Sequence, residues 1–217
     1  MLALQEIHER MANASKLAGR KATDTQLIAI SKTRGVDEIR PLLEAGHRLF
    51  GENRVQEAAE KWPVLREEYP DVKVHLVGQL QSNKAEEAIA YFDAIHSLDR
   101  KSLLKALAKA MDRSGKHIPC FVQINIGEEP QKGGCDISET KDFLKSVSEK
   151  GIEPAGLMCL PPSGVNPAPY FALLAKMAKD NNLQDLSMGM SADFEAAIKL
   201  GATYVRVGTA LFGPRQT

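Results

Sequence analysis

The sequence lacks the features of a membrane, secreted or nucleic-acid-binding protein. No stretch of its 217 residues is long and apolar enough to cross a bilayer. Residues 1–20 mix charged side chains with apolar ones at helical spacing, unlike the continuous apolar core of a signal peptide. No basic stripe is present, and 28 basic and 28 acidic residues give a formal net charge of zero. We therefore expect a cytoplasmic protein that binds neither membranes nor nucleic acid.

The sequence also has few cysteines, and they are not arranged for bridges or metals. Cys120, Cys135 and Cys159 are odd in number and lack the spacing of a zinc site, which argues against structural disulfides and bound metal. Cys120 and Cys159 lie in apolar runs and are predicted to be buried. Cys135 follows two glycines in a polar loop, so we expect it to be exposed, and we assign it no role.

There is no linker, no change of composition and no glycine-rich dinucleotide fingerprint. Instead, short apolar runs alternate with segments of helical spacing. The predicted strands are 27–32, 47–53, 73–78, 94–98, 120–126, 154–160, 185–190 and 203–208. The predicted helices after the amphipathic N-terminal one are 36–45, 55–68, 83–91, 101–113, 138–150, 168–181 and 192–200. This order favours an α/β fold, a single (β/α)8 TIM barrel over residues 1–217 with an extra N-terminal helix. A doubly wound open sheet is the alternative.

The first predicted strand ends on a lysine, Lys32, which is the candidate for the chemistry. The carboxyl ends of barrel strands are where such folds keep their active sites. A lysine partly removed from water there favours its neutral amine, which can add to an aldehyde. A lysine that simply turns out to solvent is the other interpretation, and this stretch alone favours it.

The last two predicted strands end in residues suited to an anion. Phosphates in parallel barrels often bind after the seventh and eighth strands. Ser191 follows the seventh and can act either as a helix N-cap or as a hydroxyl donor to an oxyanion. After the eighth, Gly208 lets the backbone approach a ligand, and Thr209 offers an amide and a hydroxyl. Together they indicate a phosphate site, although each motif alone is common.

Two kinds of polar residue fall within predicted strands. Strand alternation places Arg206 on the same face as Tyr204 and Gly208, either inside the barrel and hydrogen-bonded or outside against a helix. His75 and His96 also lie within strand runs. We interpret both as hydrogen-bonded core residues and not as metal ligands.

Taken together, these segments resemble the pyridoxal 5'-phosphate (PLP) homeostasis protein family over nearly the whole chain. The resemblance implies a barrel like the alanine racemase N-terminal domain (PLP fold type III), with the cofactor held as a Schiff base on Lys32. It also implies phosphate contacts from Ser191, Gly208 and Thr209, with Arg206 facing the pyridine nitrogen. Asn53 and Met158 would line the cofactor, and Lys132 matches a lysine implicated in cofactor handling. The matching segments are 30–33, 50–57, 75–84, 156–158, 186–193 and 205–213.

The chain departs from the family pattern at a few loop positions. Arg34 and Gly35 stand where the family commonly has lysine and proline, and Arg54 stands where it has tyrosine. Cys135 replaces an aliphatic or aromatic residue. These differences put loop contacts in question but leave the lysine, serine, glycine and arginine positions intact.

The resemblance favours a carrier over an enzyme. An arginine opposite the pyridine nitrogen disfavours protonation there, so the ring is a weak electron sink. The related racemases also use a base from an extra β-domain, which we expect to be missing because the sequence ends at Thr217. We therefore predict a monomer that holds PLP and releases it, with PLP-dependent apoenzymes as acceptors. A weak amino-acid racemase and a sugar-phosphate barrel that binds no aldehyde are the alternatives.

Overall fold

A computed structural model describes residues 2–213 of the chain. Eight parallel strands close into a barrel in which each strand pairs with the next and the last pairs with the first. The strands are β1 (Gln26–Ile30), β2 (Leu49–Glu52), β3 (Lys73–Leu76), β4 (Ala94–Leu98), β5 (Cys120–Ile124), β6 (Pro154–Cys159), β7 (Asp185–Met190) and β8 (Tyr204–Val207). The predicted TIM barrel is confirmed.

Helices surround the barrel and connect successive strands. They are α1 (Leu2–Leu17), α2 (Val36–Glu44), α3 (Val55–Glu68), α4 (Ala85–Tyr91), α5 (Lys101–Ser114), α6 (Thr140–Glu149), α7 (Ala168–Asp180), α8 (Phe194–Lys199) and α9 (Thr209–Phe212). Short 3-10 turns occupy Ala22–Asp24, Ser82–Lys84 and Ile137–Glu139, so α4 and α6 begin two residues later than predicted. The sequence pattern did not predict α9.

The predicted extra N-terminal helix, α1, covers the end of the chain's last repeat. Its buried stripe includes Leu4, Ile7 and Met11, and it packs against α8 and α9. Arg10 of α1 pairs with Glu195 of α8 at 3.1 Å. The helix that follows β8, α9, is only four residues long. The N-terminal helix α1 therefore supplies the apolar cover that a longer helix after β8 would otherwise give.

The prediction for Cys135 is wrong, because the loop that carries it folds back onto β5. The amide of Asn125 donates to the Cys135 carbonyl at 2.9 Å, and the Cys135 amide donates to the Gln123 carbonyl at 2.8 Å. These bonds place Cys135 beside Ile124, where its side chain is buried in the core. The same return of the chain ends β5 at Ile124, two residues earlier than expected. Cys120 and Cys159 are fully buried, as predicted.

Side chains alternate between the barrel interior and the layer under the helices. The even-numbered residues of β8 point inward, so that Arg206 is 5% exposed and lies within the barrel. This confirms the inward interpretation of Arg206. His75 and His96 also lie inside and are hydrogen-bonded to each other, as expected for core histidines.

Candidate functional site

A cavity of about 390 Å³ opens at the carboxyl ends of the strands. Six of the seven predicted site residues line it, although they come from β1, β2, β7 and β8 and the loops that follow these strands: Lys32, Asn53, Ser191, Arg206, Gly208 and Thr209. Met158, the seventh, is completely buried in β6 and is not among the lining residues. Leu160, two positions further along the chain, lines the cavity instead. The other lining residues are Ile30, Arg34, Val77, Met190 and Ala192.

The lysine lies in a turn just after β1, and both of its neighbours are anchored. On one side, the Ser31 hydroxyl donates to Glu52 Oε1 at 2.7 Å. On the other, the Thr33 amide donates to Glu57 Oε2 at 2.8 Å. Thr33 has a φ of +62°, a left-handed conformation that non-glycine residues seldom adopt. The backbone of Lys32 is therefore held in place by β2 and α3.

Glu52 is the centre of a buried ionic cluster beneath this turn. It is 0% exposed, and Lys61 Nζ lies 2.8 Å from its Oε1. The Trp62 indole donates to the same oxygen at 3.2 Å, and Lys61 Nζ also donates to the Ser31 carbonyl at 3.0 Å. Burial raises the pKa of Glu52 above the ordinary glutamate value, although Lys61 and these hydrogen bonds act in the opposite direction. We call Ser31, Glu52, Glu57, Lys61 and Trp62 the Glu52 cluster.

Sequence reasoning missed most of this cluster. Glu52 and Glu57 fall within the matching segment 50–57 but have no predicted role. Lys61 and Trp62 were read as part of a helix and given no role. The available signal was the spacing of Glu57 and Lys61, four residues apart on one helical face, where they form an ion pair at 3.6 Å.

Ser191 and Gly208 meet on the opposite side of the cavity. The Gly208 amide donates to Ser191 Oγ at 3.3 Å. Ser191 is not a helix N-cap, because α8 begins at Phe194 with Asp193 in the cap position. A side chain at Gly208 would place its Cβ 3.3 Å from Ile30 Cβ. Glycine at position 208 therefore lets the backbone lie close to Ile30 in the cavity wall. Thr209 follows directly in sequence.

Arg206 projects from the barrel interior to the floor of the cavity. Its Nη1 donates to Ser187 Oγ at 2.6 Å, and its Nη2 donates to the Cys159 carbonyl at 2.9 Å. Both partners are neutral, and no salt bridge to Arg206 occurs within residues 2–213. Burial lowers the pKa of Arg206, but a guanidinium keeps its charge at any physiological pH. The cavity therefore has a fixed cation at its base.

Arg34 brings a further cation to the cavity. Its Nη1 donates to Glu38 Oε1 at 2.9 Å, and its Nη2 donates to the Gly213 carbonyl at 2.7 Å. The guanidinium also lies 5.8 Å from the centre of the Phe212 ring. The sequence singled out Arg34 only as a departure from the family pattern, and the structure places it among the lining residues.

Lys132 lies outside the cavity lining. Its ammonium is 2.5 Å from Glu129 Oε2 and donates to the Pro161 carbonyl at 3.2 Å, so it joins two loops of the rim. Over residues 2–213, no group of three or more His, Cys, Asp and Glu side chains is arranged to hold a metal ion. None of the helices in that range is long and apolar enough to cross a membrane.

Known proteins match the chain along almost its full length. The model of the family described as alanine racemase, N-terminal domain, matches residues 2–216. A pyridoxal phosphate homeostasis protein from Aquifex aeolicus (strain VF5) is 36% identical, with 98% of this chain and 97% of that protein aligned.

Solved structures of known proteins are also similar to this chain over almost its full length. PipY of Synechococcus elongatus PCC7942, with PLP bound, has a TM-score of 0.82 and 37% identity, covering 95% of this chain and 100% of that one. Without PLP, it has a TM-score of 0.83 and 38% identity over the same shares. Alanine racemase from Clostridium difficile 630 shares the fold at a TM-score of 0.69 and 15% identity, covering 97% of this chain and 57% of the racemase. The chain belongs to the alanine racemase N-terminal domain family and, within it, to the pyridoxal phosphate homeostasis proteins.

Proposed function

We propose that this protein binds pyridoxal 5'-phosphate in the rim cavity, holds it through Lys32 and releases it to other proteins. The observation that carries the proposal is the meeting of Lys32, Arg206 and the Ser191, Gly208 and Thr209 group around one cavity, from distant parts of the sequence. The relatives named for PLP homeostasis and the PLP-bound structure of PipY support the same ligand.

The lining residues fit this ligand in size and charge. A cavity of about 390 Å³ is within the range of small-molecule sites. The lining residues of the described chain include Lys32 and Arg206 and no carboxylate, and Arg206 has only neutral partners, whereas Arg34 pairs with Glu38 outside the lining. Such a site favours an anion. The Ser191 and Thr209 hydroxyls and the amides near Gly208 are suitable donors to phosphate oxygens.

Each wall of the cavity has its own task in this proposal. When bound, PLP would supply an aldehyde with which a lysine amine condenses reversibly, releasing water. The anchored turn at Lys32 holds the amine at the cavity wall. Asn53 and the apolar side chains of Ile30, Val77 and Leu160 would contact the ring and limit the access of water.

The same residues argue against efficient catalysis. Arg206 presents a permanent positive charge, which disfavours a proton on a ring nitrogen facing it. Amino-acid racemisation also needs a second proton carrier beside the lysine. Among the described residues that line the cavity, Lys32 is the one side chain of a type that commonly serves as a general base, since arginine, asparagine and the hydroxyls of serine and threonine seldom do.

The test is an absorbance titration of the purified protein with PLP, compared with Lys32→Ala. We expect a violet band in the wild type that borohydride fixes to the protein, and no such band in the variant. A wild type without the band would refute the Lys32 assignment. Steady conversion of L-alanine to D-alanine by the wild type, abolished in Lys32→Ala, would instead favour an enzyme.

A further inference from the structure

The barrel interior beneath Arg206 contains a row of polar side chains linked by hydrogen bonds. Ser187 Oγ accepts from Arg206 and lies 2.8 Å from His96 Nδ1. His96 Nε2 is in turn 3.0 Å from His75 Nδ1. These residues, which we call the polar row, come from β8, β7, β4 and β3, so the row crosses the barrel. None of the site residues at the rim other than Arg206 takes part in the polar row, so the site described above does not account for it.

Aromatic packing holds the two imidazoles. His96 stacks on Phe121, with ring centres 4.2 Å apart and planes at 18°. The Tyr204 ring lies against both histidines, 5.9 Å from His75 and 5.8 Å from His96. Burial lowers the pKa of His75 to about 4 and that of His96 well below its usual value. Each ring is therefore neutral near pH 7 and carries a single N–H.

The hydrogen-bond donors available determine the direction of the polar row, that is, which residue donates and which accepts at each hydrogen bond. A guanidinium has no acceptor, so Ser187 Oγ must accept from Arg206. If His96 Nδ1 also donated to that oxygen, the serine hydrogen would have no acceptor among the hydrogen bonds of the described chain. The arrangement that gives the serine hydrogen an acceptor has Ser187 donate to His96 Nδ1, which leaves His96 Nε2–H to donate to His75 Nδ1.

We propose that Ser187, His96 and His75 are positioning residues that fix the orientation of Arg206 toward the ligand in the cavity. His96 holds the hydroxyl hydrogen of Ser187 away from Arg206, so a lone pair of Ser187 Oγ faces Nη1, while the Cys159 carbonyl holds Nη2. Two neutral acceptors fix the guanidinium without cancelling its charge. A carboxylate in either place would neutralise it. The contact of Arg206 with the cofactor ring rests on the proposed function, but the direction of the row does not.

The first test uses wild-type protein without ligand. Long-range ¹H–¹⁵N correlation spectra of uniformly ¹⁵N-labelled protein report which ring nitrogen of each histidine is protonated. We expect His75 and His96 both to be neutral at pH 7 and to carry hydrogen on Nε2, with Nδ1 as the acceptor. Hydrogen on Nδ1 of His96, or a doubly protonated ring, would overturn the proposed direction. This result is independent of whether PLP binds.

The second test measures PLP affinity and the absorbance of bound PLP in variants whose folding is checked by circular dichroism. Ser187→Ala removes the acceptor and should weaken binding roughly tenfold and shift the visible band, because Arg206 loses one anchor. Ser187→Thr keeps a hydroxyl and should restore both. Ser97→Ala is the matched control, since the Ser97 hydroxyl is equally buried on β4 but has no partner in the described chain.

Unchanged affinity and absorbance in Ser187→Ala would refute the positioning role. If that variant does not fold, PLP affinity and absorbance in His96→Phe test the same role, because this variant keeps the stack on Phe121 and removes the acceptor of Ser187. Wild-type affinity and absorbance in His96→Phe would likewise refute it. A wild type that binds no PLP would count against the proposed function, while the histidine spectra would still decide the direction of the row.

Discussion

Two parts of the cavity surface are supported in opposite ways: the turn that carries Lys32, which we call the Lys32 wall, and the strand end that carries Arg206, which we call the Arg206 wall. The Lys32 wall rests on the Glu52 cluster, in which buried ionic groups hold the lysine's neighbours. The Arg206 wall rests on a neutral row of a serine and two histidines. Lys32 itself would react with the ligand, whereas Arg206 would only face it. The ionic support therefore fixes the backbone turn that carries Lys32, and the neutral support keeps the charge of Arg206 available.

The two supports should also respond to acid with opposite signs. The pKa of Glu52 is raised by burial, so the folded state takes up its proton more readily than the unfolded chain does. Its contribution to stability is complete below the ordinary glutamate pKa and declines as the pH rises through the folded-state value. The pKa of His75 is lowered, so its contribution is complete at high pH and is lost in acid.

The largest effect is expected from Lys61→Met. The change leaves the Glu52 carboxylate buried without its cation, and its Oε2 already lacks a partner in the described chain. Breaking one half of a buried ion pair costs about 3 to 5 kcal/mol. Urea unfolding followed by circular dichroism measures this loss at pH 7.

The control for this prediction is Lys61→Met combined with Glu52→Gln. The amide oxygen still accepts from Ser31 and Trp62, but no charge is buried, so at least half of the lost stability should return. If the double variant is as unstable as the single one, the cluster acts through packing and not through charge. The ionic description of the Lys32 wall would then be wrong.

The second prediction concerns the acid response of the Arg206 wall. Because the pKa of His75 is about 4 against an ordinary 6.5, its contribution should be lost as the pH falls from 6.5 toward 4. That difference corresponds to about 3 kcal/mol. His75→Gln does not titrate and can still accept from His96, so the stability difference between pH 7 and pH 4.5 should shrink. Urea midpoints at the two pH values measure it.

The same substitution at the exposed His117 serves as control and should leave the pH dependence of the wild type in place. His47 is also buried and has a pKa lowered to about 4, so the variant removes only part of the acid sensitivity. If His75→Gln and the wild type lose stability equally in acid, His75 does not resist protonation in the folded state.

Repeating patterns in the sequence predicted the barrel, and six of the seven residues named for the site, Asn53 through the family resemblance, line the cavity. Apolar runs end where strands end, and the ends of parallel strands meet at one rim. Met158 is the predicted site residue that does not line the cavity. It lies on the inward face of β6, but Leu160 is the residue of that strand's alternation that reaches the cavity. How far up the barrel a residue lies depends on strand register, which no single segment contains.

The supports beneath the walls could not be predicted for the same reason. Glu52 meets Lys61 and Trp62 only because α3 folds back over β2, and His96 meets Ser187 across the barrel, 91 residues away in sequence. Cys135 was predicted as exposed from its glycine-rich surroundings, yet hydrogen bonds to β5 bury it. Local composition describes a loop but does not say which strand the loop returns to.

The smallest effect is expected at the turn that carries Lys32. Thr33 has a φ of +62°, and glycine there would relieve about 1 kcal/mol of strain. Glycine also adds about 0.5 to 1 kcal/mol of conformational entropy to the unfolded chain. We therefore expect Thr33→Gly to change the free energy of unfolding by less than about 0.5 kcal/mol, as measured by urea unfolding.

Gly189→Ala on the β7 side is the matched comparison, because Gly189 has a similar backbone with a φ of +94°. A Cβ there would lie 2.6 Å from Ala197 Cβ of α8, so alanine adds overlap to strain and should cost about 2 kcal/mol or more. Thr33 is open to solvent and held through its amide by Glu57, which glycine leaves intact. A Thr33→Gly protein destabilised as strongly as Gly189→Ala would mean that the threonine side chain, and not the Glu57 hydrogen bond, holds the turn of Lys32.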